Sequence, residues 1–109
     1  MELTELKSAL HIDGDEDDSQ LERFLTAAEH RIQGMIGTNY PGFYEIEGNK
    51  QEYEIALIML VDHWNKTRSA TSEKQLTEIP FGVRTFVLSL RPAYQLYSQV
   101  QEETENVHS

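Results

Sequence analysis

The stretch from Lys50 to Arg68 constrains this chain more than any other, because its middle is apolar on almost every side. Tyr53, Ala56, Leu57, Leu60, Val61 and Trp64 recur at helical spacing, and Ile55, Ile58 and Met59 form a second stripe beside them. A helix with so little polar face has to be covered from several directions. Its longest apolar run, Ile55 to Val61, falls far short of the roughly 18 residues of a membrane span. The cover must come from the rest of the chain. The expectation is an all-α bundle of about four helices around this central one, with Asn49 as its cap.

The flanking segments supply the other helices. Leu3, Leu6 and Leu10 share one face of a short first helix running from Thr4 to about Leu10, and His11-Ile12-Asp13-Gly14 reads as a turn. The acidic run Asp13, Asp15, Glu16, Asp17, Asp18 precedes a second helix, where carboxylates cap free N–H groups and favour the positive dipole end. Leu21, Leu25, Ala28, Ile32 and Met35 carry that helix from about Asp18 to Ile36, and Gly37 stops it. Thr38 to Gly48 is expected to be a loop whose aromatics, Tyr40, Phe43 and Tyr44, tuck onto the bundle, with room for a short strand over Phe43 to Ile46. Ser69 to Glu78 is a polar connection.

Pro80 suits the first turn of a fourth helix carrying Val83, Phe86, Val87 and Leu90, and Pro92 is expected to follow its end. This divides the chain into a helical domain, residues 1–92, and a C-terminal arm or tail, residues 93–109. In the tail, Tyr94, Tyr97 and Val100 fit a half-buried helix or an extended arm. Gln101 to Ser109 is polar and acidic, and is expected to be disordered alone and ordered only on assembly. On that division, deleting the tail spares the monomer fold and weakens assembly.

Several classes of function are excluded or disfavoured by composition. There is no cysteine, which removes disulfides, thiol nucleophiles and thiolate metal sites. The first residues, Met1-Glu2-Leu3-Thr4-Glu5, have neither the basic start nor the apolar stretch of a signal peptide. Nine basic residues are scattered among nineteen acidic ones, a formal charge of -10, whereas a free-standing nucleic-acid binder normally presents a basic face. The fourth helix offers only Arg84 and Arg91 with Thr85 and Ser89 toward a base-reading surface, which argues against a helix–turn–helix.

No constellation of residues carries a chemistry. A calcium loop starting at Asp13 would need Gly and Glu where Asp18 and Phe24 stand. His11, His30, His63 and His108 never pair at i, i+4. No Gly-x-Ser-x-Gly turn or phosphate-binding Gly-rich loop occurs. The expectation is a protein that is not an enzyme and has no cofactor, metal, membrane span or small-molecule substrate.

The segment Ala56-Leu57-Ile58-Met59-Leu60-Val61-Asp62-His63-Trp64-Asn65-Lys66-Thr67-Arg68, followed by Ile79-Pro80-Phe81-Gly82-Val83-Arg84 and by Leu90-Arg91, resembles the head–tail connector (adaptor) family of tailed bacteriophages and prophages. The N-terminal half fits as well, with its Leu-rich helix, its acidic turn and the Ala27-Ala28-Glu29 patch leading to Ile36-Gly37. The resemblance runs to about Arg91. It implies a structural subunit that closes into a ring of about a dozen copies by a repeated heterologous contact. The implied partners are the chain itself, the portal protein above it and a tail-completion protein, with DNA passing through the channel without specific binding. The implied places are the host cytoplasm during assembly and the virion head–tail junction afterwards. Candidate subunit or portal contacts are Ile79, Pro80, Phe81, Gly82, Arg84, Arg91, Tyr94 and Tyr97, although Phe81 could instead pack on Trp64. The competing reading is a small acidic helical regulator or DNA mimic.

Overall fold

The central position expected for the apolar helix is the one it takes. A computed structural model describes residues 1–67 and 79–107, and in it the helix is Asn49–Thr67, here α3. It packs against α1 (Leu3–Leu10), α2 (Asp18–Ile36), a 3-10 turn (Pro41–Glu45) and α4 (Phe81–Val107). Ala56, Leu57, Leu60 and Val61 are fully buried, and Tyr53 and Trp64 nearly so. The predicted polar connection, Ser69 to Glu78, lies outside the described residues.

Each neighbour buries one stripe. From α1 it is Leu6, with Leu3 and Leu10 packed at its edge; from α2, Leu21, Phe24, Leu25, Ala28, Ile32 and Ile36. The fourth helix gives Val83, Val87, Leu90 and Tyr94. These spacings are helical throughout, which is why hydrophobic period alone locates the helices.

Local chemistry fixes the turns. His11 ends α1 in the left-handed conformation, with its N–H on the Ser8 carbonyl. Asp17 is the N-cap of α2 but its side chain makes no capping bond, contrary to the capping role expected of the acidic run. Asp18 instead forms an ion pair with Lys7 at 2.7 Å, tying α1 to α2 across the turn. Lys7 is largely covered and the Asp18 Oδ1 it meets is buried, so Lys7→Met leaves that oxygen unpartnered and is expected to cost about 1–3 kcal/mol, read as a lowered denaturation midpoint.

Two expectations are corrected. The room left for a strand over Phe43 to Ile46 is taken by the 3-10 turn, which begins at Pro41, and no strand occurs among the described residues. Pro41 presets the backbone for that turn, and the Asn49 side-chain amide closes it by donating to the Phe43 carbonyl at 3.3 Å. The fourth helix does not stop before Pro92; it runs on to Val107. Proline deprives the Leu88 carbonyl of its helical partner, but Leu88 and Pro92 are both on the exposed face, where water can replace the lost bond. The inward stripe passes uninterrupted through Leu90, Tyr94 and Tyr97 and holds the helix together across the break.

Candidate assembly surface

The start of α4 places the first five predicted contact residues beside the middle of α3, next to Met59. Ile79 and Pro80 are half-buried, and the Pro80 carbonyl accepts the Arg84 N–H at 3.1 Å. Gly82 lies against the Met59 side chain. Arg84 is exposed, and Phe81 is 85% exposed. The alternative in which Phe81 packs on Trp64 is therefore not realised. Trp64 pairs with Phe24 instead, ring centroids 5.8 Å apart. Helical geometry explains this: Val83 faces the core, and Phe81, two residues earlier, sits about 200° round the axis.

The remaining candidates lie roughly 15 Å farther along the helix. Arg91 is exposed, yet its Nε donates to the Met35 carbonyl at 3.1 Å and fastens α4 to the end of α2. Tyr94 is buried, only 7% exposed, and Tyr97 is half-buried. Thus the eight candidates do not form one patch. Ile79 to Arg84 lie at the start of α4, with Phe81 and Arg84 exposed, whereas Arg91, Tyr94 and Tyr97 belong to the junction between α4, α2 and the 3-10 turn.

That junction is an aromatic cluster centred on Phe43. Its ring meets Tyr44 and Tyr94 edge-on at 5.2 Å each and Tyr97 at 5.7 Å. Tyr44 also packs on Tyr53 at 4.5 Å. Each buried phenol keeps a polar partner. The Tyr44 hydroxyl donates to the Gly37 carbonyl at 2.6 Å, the Tyr40 N–H donates to the Tyr94 oxygen at 3.0 Å, and Gln33 donates to the Tyr53 oxygen at 2.7 Å.

Burial controls how these phenols ionise. It pushes the Tyr44 hydroxyl well above its ordinary range, with the neighbouring Tyr53 and Tyr94 oxygens adding to the shift and the bond to Gly37 opposing it. Burial also pushes Tyr53 up to about 12, opposed by the Gln33 bond and helped by Glu29 and Glu54. Folding therefore favours the protonated phenols. This stability is intact below the ordinary value of 10 and is lost as pH rises from there through about 12. Stability to urea should hold up to about that lower value and then fall, with phenolate absorbance rising as the chain unfolds. A midpoint that is flat across this window would contradict the buried cluster.

Sequence reading missed a second feature of α4. Besides Phe81, its exposed face carries Leu88 at 59% and Leu96 at 65% exposure. With Pro92 these residues fall within about 80° of arc, forming an apolar stripe turned away from the bundle. The signal lay in the spacing of Phe81, Leu88, Pro92 and Leu96, and ending the helix at Pro92 concealed it.

Elsewhere an open groove of about 1000 Å³ follows α2, lined by Arg23, Phe24, Ala27, His30, Arg31 and Trp64 among others. No group of three His, Asp or Glu among the described residues is placed to hold a metal ion. No helix among them is long and apolar enough to cross a membrane.

The family model of phage gp6-like head–tail connector proteins matches residues 1–91. It spans α1, α2, α3 and the first part of α4, through Arg91. No curated protein and no solved structure matched the chain significantly.

Proposed function

The chain belongs to the phage gp6-like head–tail connector family, a family of structural proteins of the virion head–tail junction, and from that premise we propose that it closes into a ring. The ring, of about a dozen copies, sits beneath the portal and joins the head to a tail-completion protein. DNA leaves through its channel. Assembly takes place in the host cytoplasm, before the subunit becomes part of the virion.

The observation that carries this reading is the family match over residues 1–91, which takes in the whole helical core apart from Tyr94. Two physical features agree with it. A net charge of -10 suits the wall of a channel that must let phosphate slide past without binding. Phe81, in the first turn of α4, is exposed apolar surface of the kind that marks a protein contact. Glu102, Glu103 and Glu105 make the helix after Gln101 an exposed acidic surface, a candidate for engaging a neighbour or the portal.

Mass in solution is the test. Light scattering across a range of concentrations, with and without the cognate portal, should show a discrete large ring, either spontaneously or only on the portal. A monomer or dimer that persists at every concentration and ignores the portal would overturn the ring and favour the acidic regulator.

A further inference from the structure

We infer that the outward face of α4 on one copy seats against the α1 side of the next, so that the repeated contact of the ring runs from one flank of the chain to the other. The inference rests on the ring reading and adds which two surfaces meet.

The first argument is charge. Copies bearing -10 each repel, so a stable contact has to join regions of unlike charge. Residues 79–101 form the longest stretch of the chain without a carboxylate, and they carry Arg84 and Arg91. Residues 1–18 carry seven carboxylates against Lys7 alone. Of these carboxylates, Glu2, Glu5, Asp13, Asp15 and Glu16 are exposed, the last three together in the turn before α2.

The second argument is position. Both α1 and α4 pack across α2 and α3, and they are not packed on one another to any comparable extent. They occupy different places on that pair: α1 is tied to the start of α2 at Asp18, and α4 is fastened near its end at Met35. A contact between two different surfaces is heterologous: each copy uses one to receive and the other to dock, and rotation closes the series. Apolar surface is present on both flanks, from Phe81, Leu88 and Leu96 on α4 and from half-exposed Leu3, Leu10 and Ile12 beside the acidic turn.

Two one-sided variants test this. Leu88→Asp with Leu96→Asp spoils the α4 flank. Asp13→Lys, Asp15→Lys and Glu16→Lys together reverse the α1 flank. All five positions are exposed, and unchanged circular dichroism would show that both variants fold. Light scattering is run under whichever condition, free or with portal, assembles the wild-type chain. Each variant alone should stay monomeric, at least tenfold weaker in assembly, and the equimolar mixture should give a 1:1 dimer through the two intact flanks. The inference is overturned, with the ring intact, if either variant alone still forms rings. It is equally overturned if the α1-flank variant dimerises alone, which would mean α4 pairs with α4, or if the α4-flank variant assembles normally but no longer binds portal. A wild-type chain that never assembles would remove the ring reading itself.

Discussion

A chain ending at Pro92 is expected to lose most of its stability, although the family match and the proline both suggest a boundary there. The reason is Tyr94. Its ring is in the core, edge-on to Phe43 at 5.2 Å, and its oxygen accepts the Tyr40 N–H at 3.0 Å. Removing a buried aromatic of this size costs about 3–5 kcal/mol. The orphaned Tyr40 N–H adds about 1 kcal/mol or more. A domain of this length has only about 5–15 kcal/mol in all. Urea denaturation followed by circular dichroism should therefore find the truncated chain marginal or unfolded. A second truncation, after Gln101, is the control. It removes the exposed Glu102, Glu103, Thr104, Glu105 and Asn106, with the Tyr40–Glu105 contact at 3.4 Å among the interactions lost, and leaves the aromatic junction in place, so it should cost about 1 kcal/mol. If the chain ending at Pro92 keeps the full-length midpoint, the aromatic junction does not hold the fold together. Residues 93–109 would then be the dispensable arm that composition suggests.

This expectation shows where the sequence was legible and where it was not. The bounds of α2 follow from Leu21, Leu25, Ala28 and Ile32 together with Gly37, because a stripe buried against one neighbour leaves a plain 3.6-residue period. Likewise α3 declares its central place by a middle, Ile55 to Val61, that is apolar almost all round. The end of α4 was obscured by a local rule outweighing a longer pattern. Proline inside a helix costs about 3 kcal/mol, enough to justify a stop at Pro92 when only the adjacent residues are weighed. Yet Val83, Val87, Leu90, Tyr94 and Tyr97 keep one period on both sides of it, and their burial outweighs the missing bond. Of the candidate contacts, Phe81 and Arg84 stand on the surface where sequence placed them, while Tyr94 is taken up by the core. An aromatic in a polar tail looks the same whether it waits for a partner or already has one. What distinguishes the two is Phe43, about fifty residues away in sequence, and one-dimensional spacing carries no record of that contact.

Gly37→Ala should damage the same junction, at a smaller cost than the loss of Tyr94, and for a reason that backbone conformation does not supply. The Gly37 backbone is extended, with φ 160°, so the position is open to other residues on that ground. The obstacle is space. A Cβ on Gly37 would fall within the Tyr94 ring, whose atoms belong to the rigid part of the side chain and cannot swing clear as a methionine tip can. The ring is held on its other side by Phe43 and Tyr44, and the Gly37 carbonyl accepts the Tyr44 hydroxyl at 2.6 Å. Moving either group disturbs both. The expected cost is about 1–3 kcal/mol, at the upper end because a hydrogen bond is strained as well. A double-mutant cycle separates this steric account from any general effect of replacing a glycine at a helix end. With Tyr94→Ala in place the ring is gone, and adding Gly37→Ala should cost less than about 0.5 kcal/mol, a coupling that equals most of the single-mutant loss. Equal penalties in the two backgrounds would mean that Gly37 is required by the α2 terminus itself, and that the close approach of α4 is incidental to it.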